Sequence, residues 1–133
     1  MTFDDAVVCH SEWKRKLHAY VSNPDGKMNI DEVAATNKCK LGRWIRGEGR
    51  KYAGFREFAK LIAEHARFHK AAADIVRRAD GGQDASFEFE LGVGSEFSLA
   101  SSAVVLAIMD MKRRNEMQSR QAQEREHVAA WMK

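Results

Sequence analysis

A chain of 133 residues, 44% hydrophobic and 31% charged, suits one soluble domain that buries its own core without covalent staples. Its 22 basic and 19 acidic residues are interspersed, and a net charge of +3 is too slight an excess to point to nucleic acid. The longest apolar run, Ala103 to Met109, falls far short of the roughly 20 residues a bilayer crossing needs, and the start Met1-Thr2-Phe3-Asp4-Asp5 is neither basic nor apolar, so no membrane insertion and a cytoplasmic location are expected.

From Phe3 to Val21, the residues Phe3, Val7, His10, Trp13, Leu17 and Tyr20 recur every three or four positions, the period of one helical face. His10 thus points where apolar side chains point. Asn23-Pro24-Asp25-Gly26 ends this helix as a turn. Met28 to Lys38 is ambiguous: Asp31 or Thr36 can each cap a short helix carrying Cys39, Leu41 and Trp44, which Gly47-Glu48-Gly49 then breaks. A second long stripe runs through Phe55, Phe58, Leu61, Ile62, His65, Phe68, His69, Ala72, Ile75 and Val76 and stops at Gly81-Gly82. Gln83 to Gly94 alternates weakly at Phe87, Phe89 and Leu91 and is read as loop. From Phe97 a last helix uses Ala100 or Ser101, Val104, Val105, Ile108 and Met111 on one side, then turns strongly polar from Lys112 to His127. It spans roughly 50 Å at about 1.5 Å per residue, longer than a bundle requires, so its polar end projects or pairs with another chain. The expected fold is all-α: a four-helix bundle with a short Cys-bearing helix and a long C-terminal helix, divided into a domain over 1–112 and a polar helical extension over 113–133.

Three of the five histidines and one of the two cysteines fall into one spaced series, His10-x-x-Trp13, Cys39-x-Leu41-Gly42-x-Trp44 and His65-x-x-x-His69. His65 and His69 are separated by roughly 6 Å of rise and about 40° of rotation on one helix, so both rings can reach one ion. With His10 and Cys39 they make three imidazoles and a thiolate, a complete tetrahedral zinc shell that leaves no position for substrate. A lone histidine on an apolar face is more often a hydrogen-bonded core residue. Four such groups on inward faces each need a partner, however, and one Zn2+ satisfies them all. A reduced thiol beside spaced histidines fits a ligand in a reducing compartment better than a disulfide, which leaves Cys9 without a role. His18 lies off the stripe and His127 in the charged tail, and both are read as solvated.

In order and spacing, with 25 residues between Trp13 and Cys39 and 20 between Trp44 and His65, this series resembles the chemoreceptor zinc-binding domain of bacteria over roughly Phe3 to Lys112. The resemblance implies a four-helix bundle with His10, Cys39, His65 and His69 as zinc ligands and Trp13, Leu41, Gly42 and Trp44 packed around them. It also implies a homodimer working with chemoreceptors or diguanylate cyclases. No signalling domain accompanies the series, so the output passes to a partner in trans, or to a missing domain in cis if the chain is a fragment. The function expected is a regulatory module coupling zinc occupancy, and secondarily thiol oxidation by hypochlorite, to chemotaxis or cyclic-di-GMP control. A zinc-stabilised dimerisation module without a sensing role is the alternative.

Other classes fit less well. A catalytic zinc keeps one position open, and His65-Ala66-Arg67-Phe68-His69 lacks the glutamate of the H-E-x-x-H metalloproteases, so no enzymatic activity is expected. A di-iron bundle needs inward carboxylates and Glu-x-x-His pairs, which do not occur. Lys40, Arg43, Arg46, Arg50 and Lys51 make a basic face, but acidic residues interrupt it and no base-reading motif is present. If zinc is lost, the short Cys39 segment is the element expected to loosen.

Overall fold

A computed structural model describes residues 1–83 and 94–132, and these residues are helical with no strand among them. The expected loop over Gln83 to Gly94 lies almost wholly outside the described residues. Helix α1 is Phe3–Ser22, α2 Ile30–Ala34, α3 Lys40–Arg46, α4 Arg56–Asp80 and α5 Glu96–Trp131, and a 3-10 turn at Glu48–Tyr52 follows α3.

Local chemistry accounts for the helix boundaries. Thr2 opens α1 with a reciprocal box: the Asp5 N–H donates to Thr2 Oγ1 at 3.0 Å and the Thr2 N–H donates to Asp5 Oδ2 at 2.9 Å. Ser95 opens α5 by accepting from the Ser98 N–H at 3.1 Å. Helix α4 ends at Asp80, and Gly82 turns the chain away at φ +86°, where a side chain would be strained. The region that the sequence leaves ambiguous resolves into two short helices rather than one. Neither Asp31 nor Thr36 is a cap: Asn29 caps α2 and Cys39 itself caps α3.

Three long helices and the α2–α3 segment enclose one core. Helices α4 and α5 form the most extensive pair, α1 lies across both, α2 rests on α4, and α3 on α1. Instead of a fourth continuous rod, two short helices complete the bundle. Phe68, Leu61, Ile75, Val104, Ile108 and Met111 are fully buried at its centre. At roughly 1.5–3 kcal/mol for each large apolar side chain removed from water, this layer anchors α4 and α5 together. Ion pairs from Arg67 to Glu96 and from Arg114 to Glu57 border the same interface. Helix α5 continues unbroken past residue 112, and what changes there is burial: Met111 is buried, whereas residues 116–132 are exposed throughout.

Candidate metal centre

The site is assembled from the N-terminus of α3 and the middle of α4. Cys39 is half-buried with extended backbone, and the Gly42 N–H donates to its Sγ at 3.3 Å, so the sulfur terminates α3 as an oxygen normally would. This placement depends on Gly42: an added Cβ there would stand 1.7 Å from the Thr36 carbonyl oxygen and 3.3 Å from His65 Cε1. The chain crosses itself at that point, which brings Cys39 over α4. Arg46 donates to Thr36 Oγ1 at 3.2 Å and ties the crossing from outside.

His65 and His69 occupy successive turns of α4 and are buried at 3% and 1% exposure. Their Nε2 atoms are 3.0 Å apart, and Cys39 Sγ lies 3.2 Å from His65 Nε2 and 3.4 Å from His69 Nε2. His69 Nδ1–H donates to the Val33 carbonyl on α2 at 2.7 Å, which leaves its Nε2 as a bare lone pair facing the cluster. The Trp13 ring meets His69 edge-on with centroids 4.8 Å apart, and Phe68 lies beside both. Leu41 is buried behind Cys39, and Trp44 packs on Phe3 and Tyr52.

His10 stands outside this close group. It is buried on α1 with its ring against Phe68, centroids 4.5 Å apart, but its Nε2 faces Ser101 Oγ of α5 at 3.1 Å. Among the described residues, the donor atoms that fall within 4.8 Å of one another belong to Cys39, His65 and His69. Sequence reasoning did not identify two contributors. Val33 acts through its backbone, which leaves no signature, whereas Ser101 is a polar residue within the apolar face of α5 and was a legible signal. His18 is half-buried rather than solvated, and His127 is exposed.

Electrostatics favour the ligand form of the histidines and oppose that of the cysteine. Burial, reinforced by His69, His10 and Arg46, pushes His65 down to about 3. Burial, with Lys14 and His69, takes His10 down to about 4. Burial lowers His69 as well, against the pull of its Val33 hydrogen bond. All three imidazoles are therefore neutral at pH 7. Burial raises the Cys39 thiol above its ordinary value, although the Gly42 N–H and Arg43 oppose it, so the proton to be displaced on metal binding sits on sulfur.

The donor set suits zinc. Bonds of about 2.3 Å to sulfur and about 2.0–2.1 Å to nitrogen at tetrahedral angles imply donor separations of about 3.3 Å for N and N and about 3.6 Å for S and N. The observed 3.0, 3.2 and 3.4 Å need to open by only a few tenths of an ångström. The family model of the chemoreceptor zinc-binding domain matches residues 10–76, half of the chain.

The chain belongs to the chemoreceptor zinc-binding domain family. Zinc is accordingly its cofactor, and Cys39, His65 and His69 are the cluster able to hold it. The family is regulatory rather than catalytic, and among the described residues no carboxylate joins the cluster. No curated protein and no solved structure matches the chain.

Proposed function

We propose that this chemoreceptor zinc-binding domain is a sensory module in which zinc occupancy fixes the α2–α3 arm on α4 and the resulting order is read by a bacterial signalling partner. The observation that carries this reading is the meeting of Cys39 with His65 and His69, because one ion there joins a short arm to the 25-residue helix α4. Binding energy becomes ordering energy of that arm. His10 completes the shell as fourth ligand, and a closed shell leaves no position for substrate, so the domain is not an enzyme. The partner is a chemoreceptor or a diguanylate cyclase, in trans or in cis, and the working compartment is the cytoplasm. No helix among the described residues is long and apolar enough to cross a membrane.

Cys39 is half-buried and lines a groove with Trp13, Lys16, Met28, Glu32 and Lys38, whereas His65 and His69 are buried. That partial exposure supports metal exchange and a secondary role in hypochlorite sensing, since an oxidised sulfur is a poorer zinc ligand. One feature favours the second reading, a zinc-stabilised homodimer without sensing. The extension over 113–133 exposes Met117, Val128 and Trp131, the last at 82%.

Zinc titration against a chromophoric chelator, with metal content by mass spectrometry, tests the proposal. One zinc per chain is expected, together with altered partner capture when Cys39→Ala removes it from a folded protein. Folded protein that takes up no zinc contradicts both readings, and zinc-independent partner capture leaves only the dimerisation module.

A further inference from the structure

The buried contact between His10 and Ser101 links α1 to α5 across 91 residues of sequence, with both side chains at 4% exposure or less. It also removes from the metal centre a nitrogen that the centre needs. A closed zinc site takes four protein ligands, and three are already gathered. His69 shows how an imidazole is prepared for such a site, with Nδ1 held by a carbonyl and Nε2 turned to the cluster. His10 has its Nε2 on a hydroxyl of another helix instead.

We propose that Ser101 is a positioning residue that competes with zinc for His10 Nε2, so that filling the metal site exchanges an α1–α5 hydrogen bond for a metal bond. This rests on the reading of His10 as fourth ligand. The exchange costs little on the α5 side. A serine within a helix can donate to the carbonyl four residues before it, here that of Phe97, so Ser101 is not left orphaned when His10 departs. His10, its ring tilted at 58° against Phe68, keeps its apolar surroundings and gives up only its polar partner. Occupancy at the α3–α4 junction thereby alters the contact between α1 and the helix whose far half projects from the bundle. Ser101 thus sets the affinity of the site, and through His10 it connects metal loading to α5.

The test is a competitive zinc titration of Ser101→Ala and Ser101→Thr beside the wild type. Losing one net hydrogen bond that opposes binding should tighten zinc about threefold to tenfold in Ser101→Ala. Ser101→Thr, which keeps the hydroxyl, should stay near the wild type. Ser101→Ala should have no effect on a His10→Ala background, as a cycle through a shared partner requires. Weaker or unchanged zinc binding by Ser101→Ala overturns the proposal, weaker binding meaning that Ser101 orients His10 towards the ion. The wild type supplies a second readout whether or not the variants fold. In long-range 1H–15N spectra, zinc should move the His10 Nε2 resonance together with those of His65 and His69. A His10 signal that stays in place while the other two respond refutes the exchange. Failure of the wild type to take up zinc sinks the underlying reading, whereas normal uptake with an unresponsive Ser101→Ala sinks this inference alone.

Discussion

Helix α4 and the α2–α3 arm contribute to the same site by opposite means. Helix α4 is 25 residues long and presents His65 and His69 from a face that also carries Phe58, Leu61, Phe68, Ala72, Ile75 and Val76 in the core. Its two histidines are held by a long helix packed into the core. The arm consists of helices of five and seven residues, too short to persist on their own, and it is held by Val33, Leu41, Trp44, Ile45 and one tight crossing at Gly42. Its ligand, Cys39, caps the second of these helices and is the half-exposed member of the cluster. On the proposed reading, an ion bound between them adds more to the arm, whose short helices depend on tertiary contacts, than to α4.

Removing the arm's ligand should have the largest effect. Cys39→Ala is expected to weaken zinc binding by more than about 100-fold, beyond what loss of an outer partner costs, while circular dichroism still reports the long helices. Loss of the α4 helical signal as well would mean that α4 and the arm are not separable. Next comes the crossing. Gly42→Ala forces a Cβ against the Thr36 carbonyl and should destabilise the protein by about 3 kcal/mol, the upper end of overpacking, as measured by urea unfolding. A neutral result would show that the arm can move aside at no cost. Val33→Ala, in the buried contact that seats α2 on α4, should cost about 2 kcal/mol and weaken zinc binding less than Cys39→Ala does.

Acidity should divide the two regions more gently. His65 and His10 fall to about 3 and about 4 when folded and His69 is lowered too, so above pH 6.5 protons compete for zinc only at the raised Cys39 thiol. One displaced proton predicts a loss of about tenfold in zinc affinity per pH unit as pH falls from 8 to 6.5, read by competition titration. A slope near two would implicate a histidine. Metal-free stability follows the histidines instead. An unfolded chain protonates His10 and His65 near 6.5 and the folded chain only near 4 and 3, so the unfolded state holds more protons and stability falls as pH drops from about 6.5 towards 4.

The same contrast decides what could be read from the sequence. Helices α1, α4 and α5 are long enough for their stripes to repeat, so Phe3 to Leu17, Phe58 to Val76 and Phe97 to Met111 were legible as buried faces. The paired histidines followed directly from their helix. Of the arm, the short helix at Cys39 and its end at Gly47 were legible, but the separate α2 and both caps were not: helices of five and seven residues complete too few turns for periodicity to show, and Asp31 and Thr36 matched a general capping preference that Asn29 and Cys39 fulfil instead. Cysteine is not an ordinary cap, and here its Sγ accepts from the Gly42 N–H where the chain passes close to the Thr36 carbonyl. For His10, sequence reasoning gave its inward direction, but not that Ser101 takes up its Nε2.

Hydrogen exchange of the wild-type protein with and without zinc tests the central claim most directly. The account predicts that residues 30–46 exchange quickly in the metal-free protein and become strongly protected when zinc is added, while residues 61–76 of α4 are protected in both. Equal protection of residues 30–46 in the two states would contradict it.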